Sequence, residues 1–288
     1  MAFAAAIGFY DGVHEGHRFV LSSLRQVAAE EGMQTLAVTF RQHPATLTGR
    51  REAPPLLTTL EERLQLLRCE TDCVLMLDFA QISHLTAAEF MQLLRSKYGV
   101  ELLLMGYDHR FGSDLLRLPA DYAAAAGKAS MRLRWLPEHR QAETHVSSTE
   151  IRRLLLKGDA ETAARLLSRP YMLAGTVVHG REIGRRMGFP TANLQIEDAD
   201  KLIPADGVYI CRVEQGEDRW KGLLNIGSNP TVGGTERTLE VHIDGFSGML
   251  YGKRLRIALL RYLRQEQRFP TTDALRRQIA ADLKALRG

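Results

Sequence analysis

Two short motifs carry residues of the kind that handle phosphate. The first is His14-Glu15-Gly16-His17 and the second is Gly188-Phe189-Pro190-Thr191-Ala192-Asn193. In the first, the paired histidines can donate to phosphate oxygens as charge develops, and Gly16 lets backbone approach an anion with no Cβ in the way. The motif lies just after an apolar run, where a helix is expected to begin. A helix start offers free N–H groups and the positive end of the helix dipole. In the second, the Thr191 hydroxyl and the Asn193 carbonyl are hard oxygens that suit Mg²⁺ beside substrate phosphates. Ser147-Ser148-Thr149-Glu150-Ile151-Arg152 answers the first motif downstream, and Glu240-Val241-His242 answers the second. Two motifs, each with a partner, predict a chain that carries out two consecutive reactions on one small molecule.

The elements that position these motifs differ between the two halves. Over residues 1–168, Ala2–Ile7, Thr35–Phe40, Val74–Leu77 and Leu102–Met105 read as buried strands. Phe19–Glu30, Leu60–Arg68 and Ala87–Lys97 carry apolar residues at helical spacing. That alternation predicts a doubly wound parallel sheet with helices on both faces, and ligands bound beyond the carboxyl ends of its strands. The segments Gly8–Gly12, Arg41–Pro44 and Gly106–Gly112 should then face one crevice. A short helix over Ala160–Leu167 ends before Arg169-Pro170, where a domain boundary is expected. Over residues 169–288, Tyr171–Val178, Gly207–Val213, Arg219–Asn225, Leu239–Ile243 and Leu255–Tyr262 are strand-like and separated by turn residues. They predict a small antiparallel β-barrel, followed by a terminal helix over Asp273–Leu286 capped by Thr272. Gly180, Gly184 and Gly188 recur every four residues in a basic loop that offers N–H groups to phosphate. This loop is neither a P-loop nor a dinucleotide fingerprint.

Composition is that of a soluble globular protein: 45% of the 288 residues are hydrophobic and 25% charged, with a net charge of +4. No apolar run approaches the ~20 residues of a membrane span. The apolar start runs straight into a Gly/Asp turn and reads as a strand, not a signal peptide. Cys69, Cys73 and Cys211 have no zinc spacing and read as reduced thiols in a cytoplasmic protein. No long basic stripe or RNA-module aromatic set accompanies the small positive charge, so small anions explain the arginines and neither nucleic acid nor membrane is an expected partner.

In this context the first half resembles the nucleotidyltransferase superfamily. The resemblance rests on Gly8-Phe9-Tyr10-Asp11-Gly12-Val13-His14-Glu15-Gly16-His17-Arg18, Thr39-Phe40-Arg41-Gln42-His43-Pro44, Gly106-Tyr107-Asp108-His109-Arg110-Phe111-Gly112 and the Ser147–Arg152 segment. Within that superfamily it is similar to the adenylyltransferase module of the bacterial bifunctional riboflavin kinase/FMN adenylyltransferases. The second half looks like riboflavin kinase, through the Gly180–Asn193 loop, Gly207-Val208-Tyr209, Asn225–Thr231, Glu240-Val241-His242 and Tyr251-Gly252-Lys253.

The resemblance implies ATP-dependent phosphorylation of riboflavin to FMN, then adenylylation of FMN to FAD with release of pyrophosphate. It places His14 and His17 on the ATP phosphates, with Gly8, Asp11 and Gly16 in the same loop. Ser147, Ser148, Thr149 and Arg152 clamp from the opposite side, and Asp108 lies on the flavin side or near the metal. In the second half it makes Glu240 the proton acceptor for the riboflavin hydroxyl. Thr191 and Asn193 become ligands of Mg²⁺, and Gly180, Gly184, Gly188 and Asn225 shape the pocket. The chain departs from many relatives at Arg41-Gln42, where they carry Glu-Pro, and at His109, where an aromatic is frequent. These departures make a chain with one working module the alternative. A non-catalytic flavin-binding regulator and a class I aminoacyl-tRNA synthetase relative are the remaining readings.

Overall fold

The computed structural model describes residues 2–43, 54–107, 109–137, 146–180, 184, 188–231, 234–267 and 269–288. It divides into two compact units, Met1–Ser148 and Thr149–Gly288. The division falls before the boundary expected at 168, because two helices precede the barrel within the second unit.

The first unit is built on a five-stranded parallel sheet of order β3-β2-β1-β4-β5. Its elements in chain order are β1 (Phe3–Ile7), α1 (Glu15–Glu30), β2 (Gln34–Phe40), α2 (Leu60–Arg68), β3 (Cys73–Leu77), α3 (Phe79–Ile82), α4 (Ala87–Tyr98), β4 (Val100–Met105), α5 (Pro119–Lys128) and β5 (Arg132–Trp135). The central strand, β1, is alanine at three of its five positions, and Ala4, Ala5 and Ala6 are wholly buried. Successive residues face opposite sides of a strand. Ala5 therefore joins the cluster that includes Phe90 and Leu94 of α4, while Ala4 and Ala6 join Leu24 and Val27 of α1. The small side chains let helices approach from both faces. α1 begins four residues earlier than its apolar periodicity predicts, with His14 as N-cap. Thr59 with Glu62, and Thr86 with Glu89, form capping boxes that start α2 and α4. Strand β5 was not expected. Its alternating arginines are those of an edge strand, and Arg132 and Arg134 pair with Glu30 and Glu31 at the end of α1.

The second unit opens within α6 (Ser148–Leu156), from its second residue on, and continues with α7 (Ala160–Leu167). β6 (Tyr171–Val178), β7 (Ala192–Ile196), β8 (Gly207–Gln215), β9 (Asp218–Thr231), β10 (Gly234–Ile243), β11 (Arg254–Arg264) and α8 (Thr272–Arg287) follow. The six strands close into a barrel of order β10-β7-β6-β11-β8-β9. Its β7, an Ala-Asn-Leu-Gln-Ile segment, reads as turn and motif in sequence, yet it closes the barrel by joining β6 to β10. The terminal helix is capped by Thr271, not Thr272. Thr271 is extended and its hydroxyl accepts from the Ala274 amide, which leaves Thr272 as the first helical residue. Leu283 and Leu286 of α8 pack on Val208 and Leu223 of the outer barrel wall.

Tyr10 gives a test of the packing in the first unit. Its hydroxyl is buried without a hydrogen-bond partner among the described residues, and burial pushes the phenol well above its ordinary titration range. We expect Tyr10→Phe to raise the unfolding free energy by about 1 kcal/mol, since an unsatisfied buried hydroxyl costs of that order. Denaturant unfolding measures it, and a loss of similar size would show that the hydroxyl is bonded.

Candidate active sites

The first site grows from the loop between β1 and α1. Gly8 leaves the strand donating to the Val38 carbonyl, and its bare Cα lies against the Tyr10 ring. The backbone then turns sharply: Tyr10, Gly12 and Val13 have φ of 57°, 82° and 39°. A positive φ is costly at Tyr10 and more so at β-branched Val13, so other contacts must hold the loop. They come from Asp11, which is 3% exposed. Its carboxylate accepts from the amides of Leu57 and Thr58 and from the Thr58 hydroxyl, each at 3.0 Å. The Thr58 oxygen in turn accepts from the Gly12 amide at 3.0 Å. The loop is thereby tied to the residues just ahead of α2, at a helix start that favours an anion. Arg63 of α2, 1% exposed, lies behind this loop. Its guanidinium covers the Phe9 ring at 4.0 Å and donates to the Phe40 carbonyl at 2.6 Å. Burial lowers its pKa to about 10, opposed by the Asp11 charge.

The same loop delivers both histidines to the start of α1. His14 is the N-cap and His17 lies in the first turn, their rings stacked at 3.7 Å. Gly16 lies beneath, where a Cβ would meet the His14 ring and approach the Val146 carbonyl. The downstream segment meets this loop at one point: the Ser148 hydroxyl donates to the Asp11 carbonyl at 2.9 Å. Ser147 precedes it, while Thr149 and Arg152 belong to the second compact unit. Asp108 lies outside the described residues, as does Pro44. A cavity of about 610 Å³ adjoins His17 and is lined by Gly8, Phe9, Phe40, Gly106 and His109–Gly112. All three post-strand segments meet there, since His43 also packs edge-on against Phe9. Arg41 and Gln42 are exposed. The aromatic walls supplied by Phe79 and Phe90 were missed in sequence. Phe90 falls in the apolar stripe of the helix expected over Ala87–Lys97, and nothing in sequence marks a core aromatic that also faces a cavity.

The second site lies on the outer wall of the barrel, beneath α8. Leu239, Val241 and Ile243 point into the barrel, which turns Glu240 and His242 outward. Strand register sets Glu240 opposite Asn193 on β7 and opposite Asn225 on β9. Three polar residues thus share one row. The Thr191 hydroxyl donates to Glu240 Oε2 at 3.3 Å. A Cβ at Gly180 would overlap the Asn193 amide, and one at Gly184 would overlap the Phe189 carbonyl. These two glycines therefore let the preceding loop lie against the Thr191–Asn193 segment. Gly188, with φ of 86°, makes the turn into Phe189. A cavity of about 770 Å³ opens here, lined by Gly184, Thr191, Asn225, Glu240 and His242, with Leu275 and Ile279 of α8 opposite. Arg264 and Asp282, bidentately paired, form part of the lining that sequence reasoning missed.

A family model described as FAD synthetase matches residues 2–150, and one described as riboflavin kinase matches residues 167–288. The bifunctional riboflavin kinase/FMN adenylyltransferase of Pseudomonas fluorescens is 37% identical, over 98% of this chain and 91% of that protein. Its counterpart in Escherichia coli K12 is 36% identical, over 96% and 89%. The chain belongs to the bifunctional riboflavin kinase/FMN adenylyltransferase family. It carries both domains of that family, and with them ATP-dependent phosphorylation of riboflavin to FMN and adenylylation of FMN to FAD. A crystal structure described as a macrolide-efflux protein from Streptococcus pneumoniae superposes with a TM-score of 0.91 at 29% identity, over 100% of this chain and 94% of that one. Among the described residues, no helix is long and apolar enough to cross a membrane.

The glycine contact at 180 yields a test that separates the two sites. We expect Gly180→Ala to displace Asn193 and lower riboflavin phosphorylation by about 10-fold or more, the scale of ångström misplacement. FMN-to-FAD conversion should be unaffected. Product chromatography measures both, and undiminished phosphorylation would show that the Gly180–Asn193 contact does not matter.

Proposed function

We propose that each activity has its own ATP site, one at the His14–His17 loop and one at the Glu240 row. In the barrel, ATP donates its γ-phosphoryl group to the 5′-hydroxyl of riboflavin. Glu240 accepts the hydroxyl proton as the O–P bond forms, and ADP leaves. The Thr191–Glu240 hydrogen bond supports this reading, because it brings the second motif and its distant partner together. Thr191 and Asn193 also fit Mg²⁺: both offer neutral hard oxygens beside a carboxylate, and glycine at 180 leaves the space that the Asn193 amide fills. When bound there with ATP, Mg²⁺ supplies neutralisation of phosphate charge. The apolar face of α8 accommodates the flavin ring, and we place the start of this domain at residue 169.

In the first unit, a phosphate oxygen of FMN attacks the α-phosphorus of ATP and pyrophosphate leaves. A phosphomonoester, with a second pKa near ~6, is already largely dianionic at neutral pH, so no general base is required. The protein's work is positioning and charge neutralisation. His14 and His17, at the positive end of α1, donate to the phosphates, and Ser147 and Ser148 close the loop from the other side. Phe9, Phe40, Phe79, Phe90 and Phe111 form the aromatic cavity that receives the flavin. Asp11 acts through the loop it fixes. ATP, riboflavin and FMN are the substrates in this reading. It needs neither nucleic acid nor membrane, and the protein works in the cytoplasm.

The test is a pair of substitutions in the full chain, supplied with riboflavin, ATP and Mg²⁺. Glu240→Ala should abolish FMN formation by at least about 100-fold, the scale of general acid–base catalysis, and leave FMN-to-FAD conversion intact. His17→Ala should do the reverse. Equal loss of both activities in either variant would contradict two separate sites.

A further inference from the structure

The β7–β10 ladder stops just short of the reacting groups. Its last pairs are Glu240 with Asn193 and Val241 with Ala192. The next residues along, Thr191 and His242, do not pair with each other, although His242 pairs with Leu223 on the other side. Yet His242 Nδ1 lies 2.9 Å from the Pro190 carbonyl oxygen. A carbonyl can only accept, so Nδ1 carries the proton. The side chain of His242 thus supplies the rung that the backbone does not. His242 is two residues from Glu240 on the same face of β10, and the Phe189 ring stands edge-on to its imidazole at 6.3 Å.

From this we propose that His242 is a positioning residue for riboflavin phosphorylation, holding the Pro190–Thr191 peptide so that the Thr191 hydroxyl reaches Glu240. The inference rests on the site assignment made above. Thr191 is fixed from both sides: through Asn193 by the backbone ladder, and through Pro190 by His242. The need for the second tether follows from distance. At 3.3 Å the Thr191–Glu240 bond is already long for an O–H donor, and a shift of a few tenths of an ångström would break it. Neither the backbone ladder nor the Gly184 contact restrains the Pro190 carbonyl. Nδ1 donates in both the neutral and the charged imidazole, so this role needs no proton transfer through the ring.

The test uses the full chain and follows riboflavin phosphorylation, with FMN-to-FAD conversion as an internal measure of folding. We expect His242→Ala to lower kcat for phosphorylation by about 10- to 100-fold, the scale of a misplaced reacting group. The KM for riboflavin should change little and FAD formation should persist. His242→Asn, whose amide N–H can reach the same carbonyl, should recover most of the turnover. A proton-transfer role would not be rescued by Asn. Wild-type turnover in His242→Ala overturns the proposal. So does an Asn variant as slow as the Ala variant while FAD formation is intact. If His242→Ala loses both activities, the Asn variant alone decides by the same criterion. Glu240→Ala is run in parallel: full phosphorylation there would sink the underlying site assignment, whatever His242 shows.

Discussion

The Asp11 carboxylate, almost wholly buried, binds three donors from residues 57 and 58 while the backbone carbonyl of the same residue accepts from Ser148. Burying a carboxylate costs several kcal/mol unless its oxygens are satisfied. Here they are, by charge-assisted bonds worth roughly 1.5–3 kcal/mol each. That energy holds Tyr10 and Val13 at positive φ, and the strained turn aims His14 and His17 at the start of α1. The placement of the two histidines therefore depends on a buried anion, Asp11. Arg63 complements it from behind while stacking on Phe9, so one cation serves the electrostatics of the loop and the wall of the cavity.

The second unit solves a similar problem by different means. A closed barrel has a rigid wall, and strand register alone lines up Asn193, Glu240 and Asn225. Side chains on the inner face fill the core, which leaves the outer face to line the cavity beneath α8. What the barrel cannot fix is the segment that leaves it, 188–191, and that segment is held by close approach at glycines and by His242. One site is thus a loop stiffened by a buried charge, and the other a stiff wall with one tethered arm.

Much of this was legible in sequence. The alternation of strands and helices, the barrel pattern after residue 169 and the outward position of Glu240 follow from apolar periodicity, which burial enforces. β5 and β7 did not follow. The first is an arginine-bearing edge strand, and the second buries only Leu194 fully and carries Asn193 and Gln195 outside the core; in both, polar residues mask the strand propensity. The cap of α8 fell on the neighbouring threonine, since two adjacent candidates cannot be ranked without backbone geometry. The histidine, serine and threonine motifs announced themselves by residue type. The role of Asp11 as an internal anchor and the aromatic cavity did not, because both depend on contacts between segments far apart in the chain.

The two sites proposed above should bind ATP independently of each other. Calorimetric titration of the full chain with a non-hydrolysable ATP analogue and Mg²⁺ tests it most directly. Two binding events per chain are expected, with Glu240→Ala and His17→Ala each perturbing a different one. A single event per chain, or one weakened equally by both substitutions, would contradict it.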